Sequence, residues 1–339
     1  MAPKIFLTGA TGYIGGEVLY VLTRAHPEYE YAALVRNEER GKPVASQYPN
    51  VRLVYGSLED AQVLEKEAAA ADVVLHTANA DNLPAAEALA RGLSAGHTAA
   101  RPGHLIHVSG AGVLCWYDAQ HGRLGAAPLR EQTYDDVADI ERLVRLPRGA
   151  AMHWEVDEFV LGVSASAAVR AMVVAPPTVY GTGRGPGNRR SLQVPRLARL
   201  TLERGFAPVQ APGLAEWDHV HVRDLAAFFV LAVEAALDSE KAADPEIFGP
   251  RAYFFVESGA HRWSEVARWV AADAAGRGLI PEAATREVSD PSLGLNARGA
   301  ASRARKYLGW EPRAEAFREG VAEAVAFEAE SMGKGVGDM

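Results

Sequence analysis

Apolar residues run along this chain in two alternating rhythms. Short, nearly continuous runs occur at IFL (5–7), EYAALVR (30–36), VRLVYG (51–56), DVVLHTA (72–78), HLIHVSG (104–110) and VRAMVVAPP (169–177). Such runs suit strands buried on both faces. Between them, 11–24, 59–70, 83–95, 135–146 and 154–165 repeat their apolar residues at helical spacing. Strand alternating with helix predicts βαβ units and a mostly parallel sheet covered on both sides. Right-handed crossovers make that an α/β doubly wound fold, with ligands at the carboxyl ends of the strands.

After Tyr180 the texture changes. GTGRGPGNRRS (181–191) is a glycine- and arginine-rich loop, followed by a helical pattern over 191–204. DHVHVRDLAAFFVLAVEAAL (218–237) reads as a short strand and a helix that return to the main sheet. Residues 245–331 supply one strand, YFFVES, and three helical stretches, and the final GKGVGDM is expected to fray. The division this predicts is a dinucleotide-binding domain over 1–180, joined by 214–242. A smaller substrate lobe is built from 181–213 and 243–331.

The 339 residues are 48% hydrophobic and 23% charged, ordinary globular values for one large α/β domain with a lobe. A net charge of −8 offers no basic surface for nucleic acid or an anionic membrane. Cys115 is the only cysteine, which excludes an intramolecular disulfide and a cysteine-rich metal site. The first strand begins within four residues of the start, and no apolar run approaches membrane-spanning length. A cytoplasmic protein with a small-molecule substrate is the expectation.

The candidate chemistry starts at KIFLTGATGYIGGEVLYVL (4–22), where Gly9, Gly12 and Gly15 are spaced G-x-x-G-x-x-G between a strand and a helix. Glycine there lets the backbone approach a pyrophosphate, and the helix N-terminus favours the anion.

With these residues in view, the chain resembles the extended short-chain dehydrogenases/reductases, the group of NAD-dependent nucleotide-sugar epimerases and dehydratases. TGATGYIG resembles that family's T-G-x-x-G-x-x-G. DVVLHTA, PPTVYGTGRG, HVHVRDLA and LGWEP resemble four further motifs in the family's order. The resemblance implies that Gly9, Thr11, Gly12, Tyr13, Ile14 and Gly15 surround the pyrophosphate. Ser57 and Leu58 would flank the adenine; Thr77, Ala78 and Asn79 would line the ribose and nicotinamide side. Ser109, Pro176 and Val179 complete the implied cofactor contacts. The resemblance also implies a homodimer through helices 83–95 and 154–165.

At the tip of the second strand, where NAD-binding relatives carry an acid for the ribose hydroxyls, ALVRN places Val35 and then Arg36. No carboxylate repels a 2′-phosphate there, and a guanidinium can bind one, with Arg40 as a helper. NADP(H) is the expected cofactor, NAD(H) the alternative.

The family's catalytic pair is Tyr-x-x-x-Lys, and no lysine occurs between Lys66 and Lys241. Its slot falls in GAAMHWEVDEF (149–159), where His153 is the residue able to exchange a proton near neutral pH. Ser109 lies one or two positions before the family's serine slot. Tyr134 and Tyr117 are the only tyrosines between the fourth and sixth strands, so His153, Ser109 and Tyr134 are the catalytic candidates. His219 and His221 alternate on a strand, but no carboxylate–histidine cluster accompanies them and no metal site is expected. Three functions remain open: an atypical NADP(H)-dependent reductase acting on a carbonyl-type group, a non-catalytic dinucleotide sensor, and a nucleotide-sugar epimerase or dehydratase. The arginines of the GRGPGNRR loop, able to bind phosphate, speak mildly for the last.

Overall fold

The computed structural model describes residues 2–334; of the GKGVGDM stretch, 335–339 lie outside it. Its first half alternates as the apolar rhythm predicts: β1 (Lys4–Thr8), α1 (Tyr13–Ala25), β2 (Glu30–Val35), α2 (Glu38–Gln47), β3 (Arg52–Tyr55), α3 (Ala61–Ala70), β4 (Val73–His76), α4 (Leu83–Gly96) and β5 (Gly103–Val108). These strands join Val169–Ala175 and Tyr253–Phe255 in a seven-stranded sheet. Its order is Tyr253–Phe255, Val169–Ala175, β5, β4, β1, β2, β3, and every neighbouring pair is parallel. The chain reverses direction across the sheet between β1 and β4. That is the switch point where open α/β sheets bind ligands.

Two helical expectations change. α2 has a weak apolar pattern and carries Pro43; it buries only Gly41 and Val44, and Asn37 caps it by accepting the Arg40 N–H at 2.9 Å. The helix expected over 135–146 shrinks to the single turn Ile140–Leu143, preceded by a short strand, Thr133–Asp135. The aspartates there take the backbone donors that a longer helix would need. Asp135 accepts from the N–H groups of Val137 and Ala138, both at 2.8 Å. Buried Asp136 is tied instead to the N–H groups of Phe255 and Arg303.

A second core lies under Tyr180 and joins helices Gln193–Arg204, Trp263–Gly276 and Phe317–Ser331. Beside it, Glu216–His221 bridges Thr178–Tyr180 and Gly259–Arg262. The lobe is smaller than its sequence boundaries, because Ile247–Val256 and Ala297–Trp310 contribute to the core of the large sheet. Three short strands beyond YFFVES, at 259–262, 285–288 and 298–300, carry no apolar run of their own. Among the described residues, no helix is long and apolar enough to cross a membrane.

Candidate active site

The three glycines of the first turn do three different jobs. Gly9 holds φ +83°, and a Cβ on it would sit 2.6 Å from the Thr77 carbonyl oxygen. Gly15 packs α1 against the end of β4, where a Cβ would meet the Thr77 Oγ1 at 2.3 Å. Gly12 caps α1 with no side-chain hydrogen bond, and the nearest obstacle to a Cβ is the Gly9 carbonyl at 3.1 Å. The free N–H groups of the first helical turn therefore remain for a ligand.

They open on a cavity of about 600 Å³ at the carboxyl ends of β1, β2 and β3. Gly9, Thr11 and Gly12 form its floor, Val35, Arg36 and Arg40 one wall, and Gly56, Ser57, Leu58 and Glu59 another. Ala78 and Asn79 enter from the end of β4, and Asn188 from the glycine-rich loop. The polarity suits a dinucleotide: backbone donors in the middle, two exposed guanidiniums at one end, and no acid at the β2 tip. These residues would hold the pyrophosphate and the adenosine half.

Other expected cofactor residues support this cavity from behind. The Tyr13 hydroxyl donates to the Gly181 carbonyl at 2.5 Å, and the Thr77 hydroxyl to the Thr8 carbonyl at 2.7 Å. Ile14 packs against the large core. Pro176 and Val179 lie past the end of strand Val169–Ala175: the Pro176 carbonyl accepts the Ala111 N–H at 2.9 Å, and Val179 pairs with Val220. Neither lines the adenosine cavity.

The glycine-rich loop folds directly over the glycine turn. Gly185 rests on Gly16, Gly187 rests on Thr11, and the Asn188 N–H donates to the Thr11 carbonyl at 3.0 Å. Two of its three arginines hold buried carboxylates: Arg184 grips fully buried Glu17 through its backbone N–H and its guanidinium, and Arg190 shares buried Glu328 with Arg199 of the following helix. The third, Arg189, donates to the Gly183 carbonyl at 2.5 Å.

Beyond β4 and β5 the catalytic candidates part company. His153 precedes helix Trp154–Val163, and its carbonyl accepts the N–H groups of Val156 and Asp157, both at 3.1 Å. It is the one non-glycine residue among those described with a positive φ, 66°. A left-handed backbone costs a side-chain-bearing residue roughly 1–2 kcal/mol, so its surroundings must impose it. Its Nδ1 lies 2.6 Å from Oδ1 of Asp81, which follows β4 two residues after Asn79. The other ring edge lies over the turn after β5: a Cβ on Gly110 would sit 3.2 Å from Nε2, and one on Gly112 3.2 Å from the Met152 Sδ. Glycine at 110 and 112 makes the room. Among the described residues Nε2 has no hydrogen-bond partner, so an Asp–His pair presents one ring nitrogen between the ends of β4 and β5.

Ser109 does not join it. Its side chain turns inward, where the hydroxyl donates to Oδ2 of Asp157 at 2.7 Å, and the Tyr253 hydroxyl donates to the same oxygen at 3.0 Å. Burial pushes the Asp157 carboxyl up to about 7. Tyr134 is buried in strand Thr133–Asp135, with the Arg142 guanidinium 4.4 Å over its ring, and does not line the cleft. Tyr117 stacks on His121. His219 faces His261, Nδ1 to Nδ1 at 3.2 Å, while the His221 Nδ1 accepts the Arg223 N–H at 3.0 Å.

Asp81, Glu59 and Asn188 are the site residues that the sequence motifs do not mark. Asp81 does stand in ANADN, directly after the fourth-strand motif, which is the one local hint of it.

Comparison with known proteins agrees with this geometry. A family model described as NAD(P)H-binding matches residues 9–148, and one for the NAD dependent epimerase/dehydratase family matches 150–247. Oxidase ucsJ from an Acremonium species is 36% identical over 98% of this chain and 99% of its own length. Among solved structures, the dTDP-glucose 4,6-dehydratase DesIV of Streptomyces venezuelae, bound to NAD and TYD, superposes with a TM-score of 0.67. It is 18% identical, with 97% of this chain and 98% of that one covered. PbgP3 from Burkholderia pseudomallei superposes at 0.69 with 15% identity, covering 98% of this chain and 97% of its own. With its glycine turn, its parallel sheet and both family models in sequence, the chain belongs to the NAD(P)-binding epimerase/dehydratase family of extended short-chain dehydrogenases/reductases.

Proposed function

We propose that the chain is an NADP(H)-dependent oxidoreductase acting on a carbonyl or carbinol group of a small, phosphate-free metabolite, with His153 as the proton-transferring residue. The observation that carries this reading is the Asp81–His153 pair, held at the carboxyl ends of β4 and β5 beside the glycine-turn cavity. The nicotinamide, when bound, supplies or accepts the hydride. In the reducing direction the His153 Nε2 would give its proton to the substrate oxygen. Asp81 accepts the Nδ1–H, fixes the tautomer and stabilises the imidazolium while the proton is exchanged with water. Oxidation runs the same steps backwards, with Nε2 as the base.

Arg36 and Arg40 support the phosphorylated dinucleotide, since both line the cavity and among the described residues neither is paired with an acid. Against a nucleotide sugar stand Arg184, Arg190 and Arg199, which already satisfy buried carboxylates. Taking Arg184 for a substrate diphosphate would strand Glu17 in the interior, and taking Arg190 or Arg199 would leave Glu328 with one of its two partners. Against a passive sensor stands His153 itself, a strained residue at the point where the chemistry of the cofactor would occur. The oxidase designation of the Acremonium relative accords with redox chemistry.

The test is a screen of carbonyl and alcohol compounds for oxidation of NADPH or reduction of NADP⁺, with wild type and His153→Ala in parallel. A turnover present in the wild type and lost in the variant supports the reading. Turnover equal in both refutes the role of His153, and retained dinucleotide with no turnover on any compound favours the sensor.

A further inference from the structure

Asp157 sits four residues after His153, fully buried, and among the described residues no lysine or arginine is paired with it. The basic side chain beside it is His107, whose Nε2 lies 3.9 Å from Oδ1. Burial beside His76 and His153 holds that imidazole well below its ordinary range, so it stays neutral. A carboxyl placed so deep is costly, and an apolar side chain would pack there more cheaply. What the carboxyl provides is a junction. Oδ2 gathers the Ser109 hydroxyl from the end of β5 and the Tyr253 hydroxyl from the edge strand.

The contacts close a ring. The His153 carbonyl accepts the Asp157 N–H, Asp157 accepts the Ser109 hydroxyl, and the next residue, Gly110, lies under the His153 ring. The first turn of the helix is thereby pulled onto the turn after β5. His153, at the start of that turn, has its left-handed backbone and its Nδ1 on Asp81. We propose that Asp157 is a positioning residue for the Asp81–His153 pair, acting through its grip on Ser109 and Tyr253. The inference rests on the proposed role of His153, and it also explains why Ser109 is a supporting rather than a reacting residue.

The experiment uses the full chain with ¹⁵N-labelled histidine. The ring-nitrogen shifts report whether His153 carries its proton on Nδ1, as a bond to Asp81 requires, and Asp81→Asn and His153→Ala assign the signals. In Asp157→Ala the Nδ1–H form should give way to the Nε2–H form, and kcat on a substrate found by the screen should fall about tenfold or more, with NADPH affinity changed less than about twofold. Asp157→Asn still accepts from Ser109 and Tyr253, so it should restore the tautomer and most of the lost kcat. If Asp157→Ala fails to fold, Ser109→Ala removes one arm of the grip and should shift the tautomer in the same direction. A folded Asp157→Ala, or a folded Ser109→Ala in its place, with wild-type ring shifts overturns the proposal. The ring shifts need no substrate, so they decide the positioning role even if the screen finds no activity and the proposed function fails.

Discussion

The Nδ1 of His153 and the Oδ1 of Asp81 are 2.6 Å apart across 72 positions of chain, in a sequence with no lysine between Lys66 and Lys241. Two loops, one after β4 and one before helix Trp154–Val163, meet to make that contact. Removing the ring should therefore remove proton transfer and little else. His153→Ala should lower kcat about 10²-fold with dinucleotide affinity nearly constant, the scale of general acid–base catalysis. Asp81→Asn should lower it about tenfold by loosening the tautomer. Steady-state kinetics and a fluorescence titration with NADPH check both.

The left-handed backbone of His153 predicts an unusual order of stability. Glycine adopts that conformation freely and alanine does not, so His153→Gly should be more stable than His153→Ala by about 1 kcal/mol. In a right-handed helix interior the order is the opposite. Denaturant unfolding of the two variants measures the difference.

Arg36 stands free at the β2 tip beside Val35. Arg36→Asp should weaken NADPH binding about tenfold or more, the worth of a charge-assisted contact, while leaving NADH similar or better. Titration with both dinucleotides decides this, and a wild type that prefers NADH contradicts it.

The glycines of the turn should separate by phenotype. A Cβ on Gly12 meets only the Gly9 carbonyl at 3.1 Å, so Gly12→Val should abolish dinucleotide binding in a protein that still folds. A Cβ on Gly15 would press within 2.3 Å of Thr77 Oγ1 and 2.4 Å of the Gly9 carbonyl, so Gly15→Val should lower the melting temperature as well. Thermal unfolding with and without NADPH distinguishes the two.

Asp157 predicts a pH dependence with a definite sign. Its folded-state pKa is raised from 3.8 to about 7, so the folded protein holds this proton more tightly than the unfolded chain. Wild type should lose stability relative to Asp157→Asn as pH rises from about 4 to about 7, by at least about 1 kcal/mol, and the difference should be constant above that. Urea unfolding of both proteins at pH 4, 5.5 and 7.5 tests it.

The parallel, doubly wound sheet was legible because most of its strands are local apolar runs and the glycine turn marks its first crossover. Its edge, however, is Tyr253–Phe255, while the strand expected to return to it at 218–221 lies in the separate three-stranded sheet. Helix α2 was hidden by Pro43 and by a face that buries two residues. The helix expected over 135–146 failed because aspartates compete for its backbone donors, a local rule that overrides the apolar spacing. That Gly12, Arg36, Ser57 and Asn79 line one cavity was legible for the same reason as the sheet: all four sit at strand ends. His153 could be placed by counting along the chain, yet its partner could not. Asp81 is brought to it by the packing of two loops, and the inward turn of Ser109 depends on Asp157 and Tyr253, residues with no motif of their own.

A crystal structure of the complex with NADP⁺ tests the role of His153 most directly. It should show the pyrophosphate over Gly12, the 2′-phosphate between Arg36 and Arg40, and the nicotinamide facing the His153 ring, with space for one carbonyl group between its C4 and Nε2. A nicotinamide bound away from His153, or a ring turned out of the cleft and off Asp81, would contradict that role.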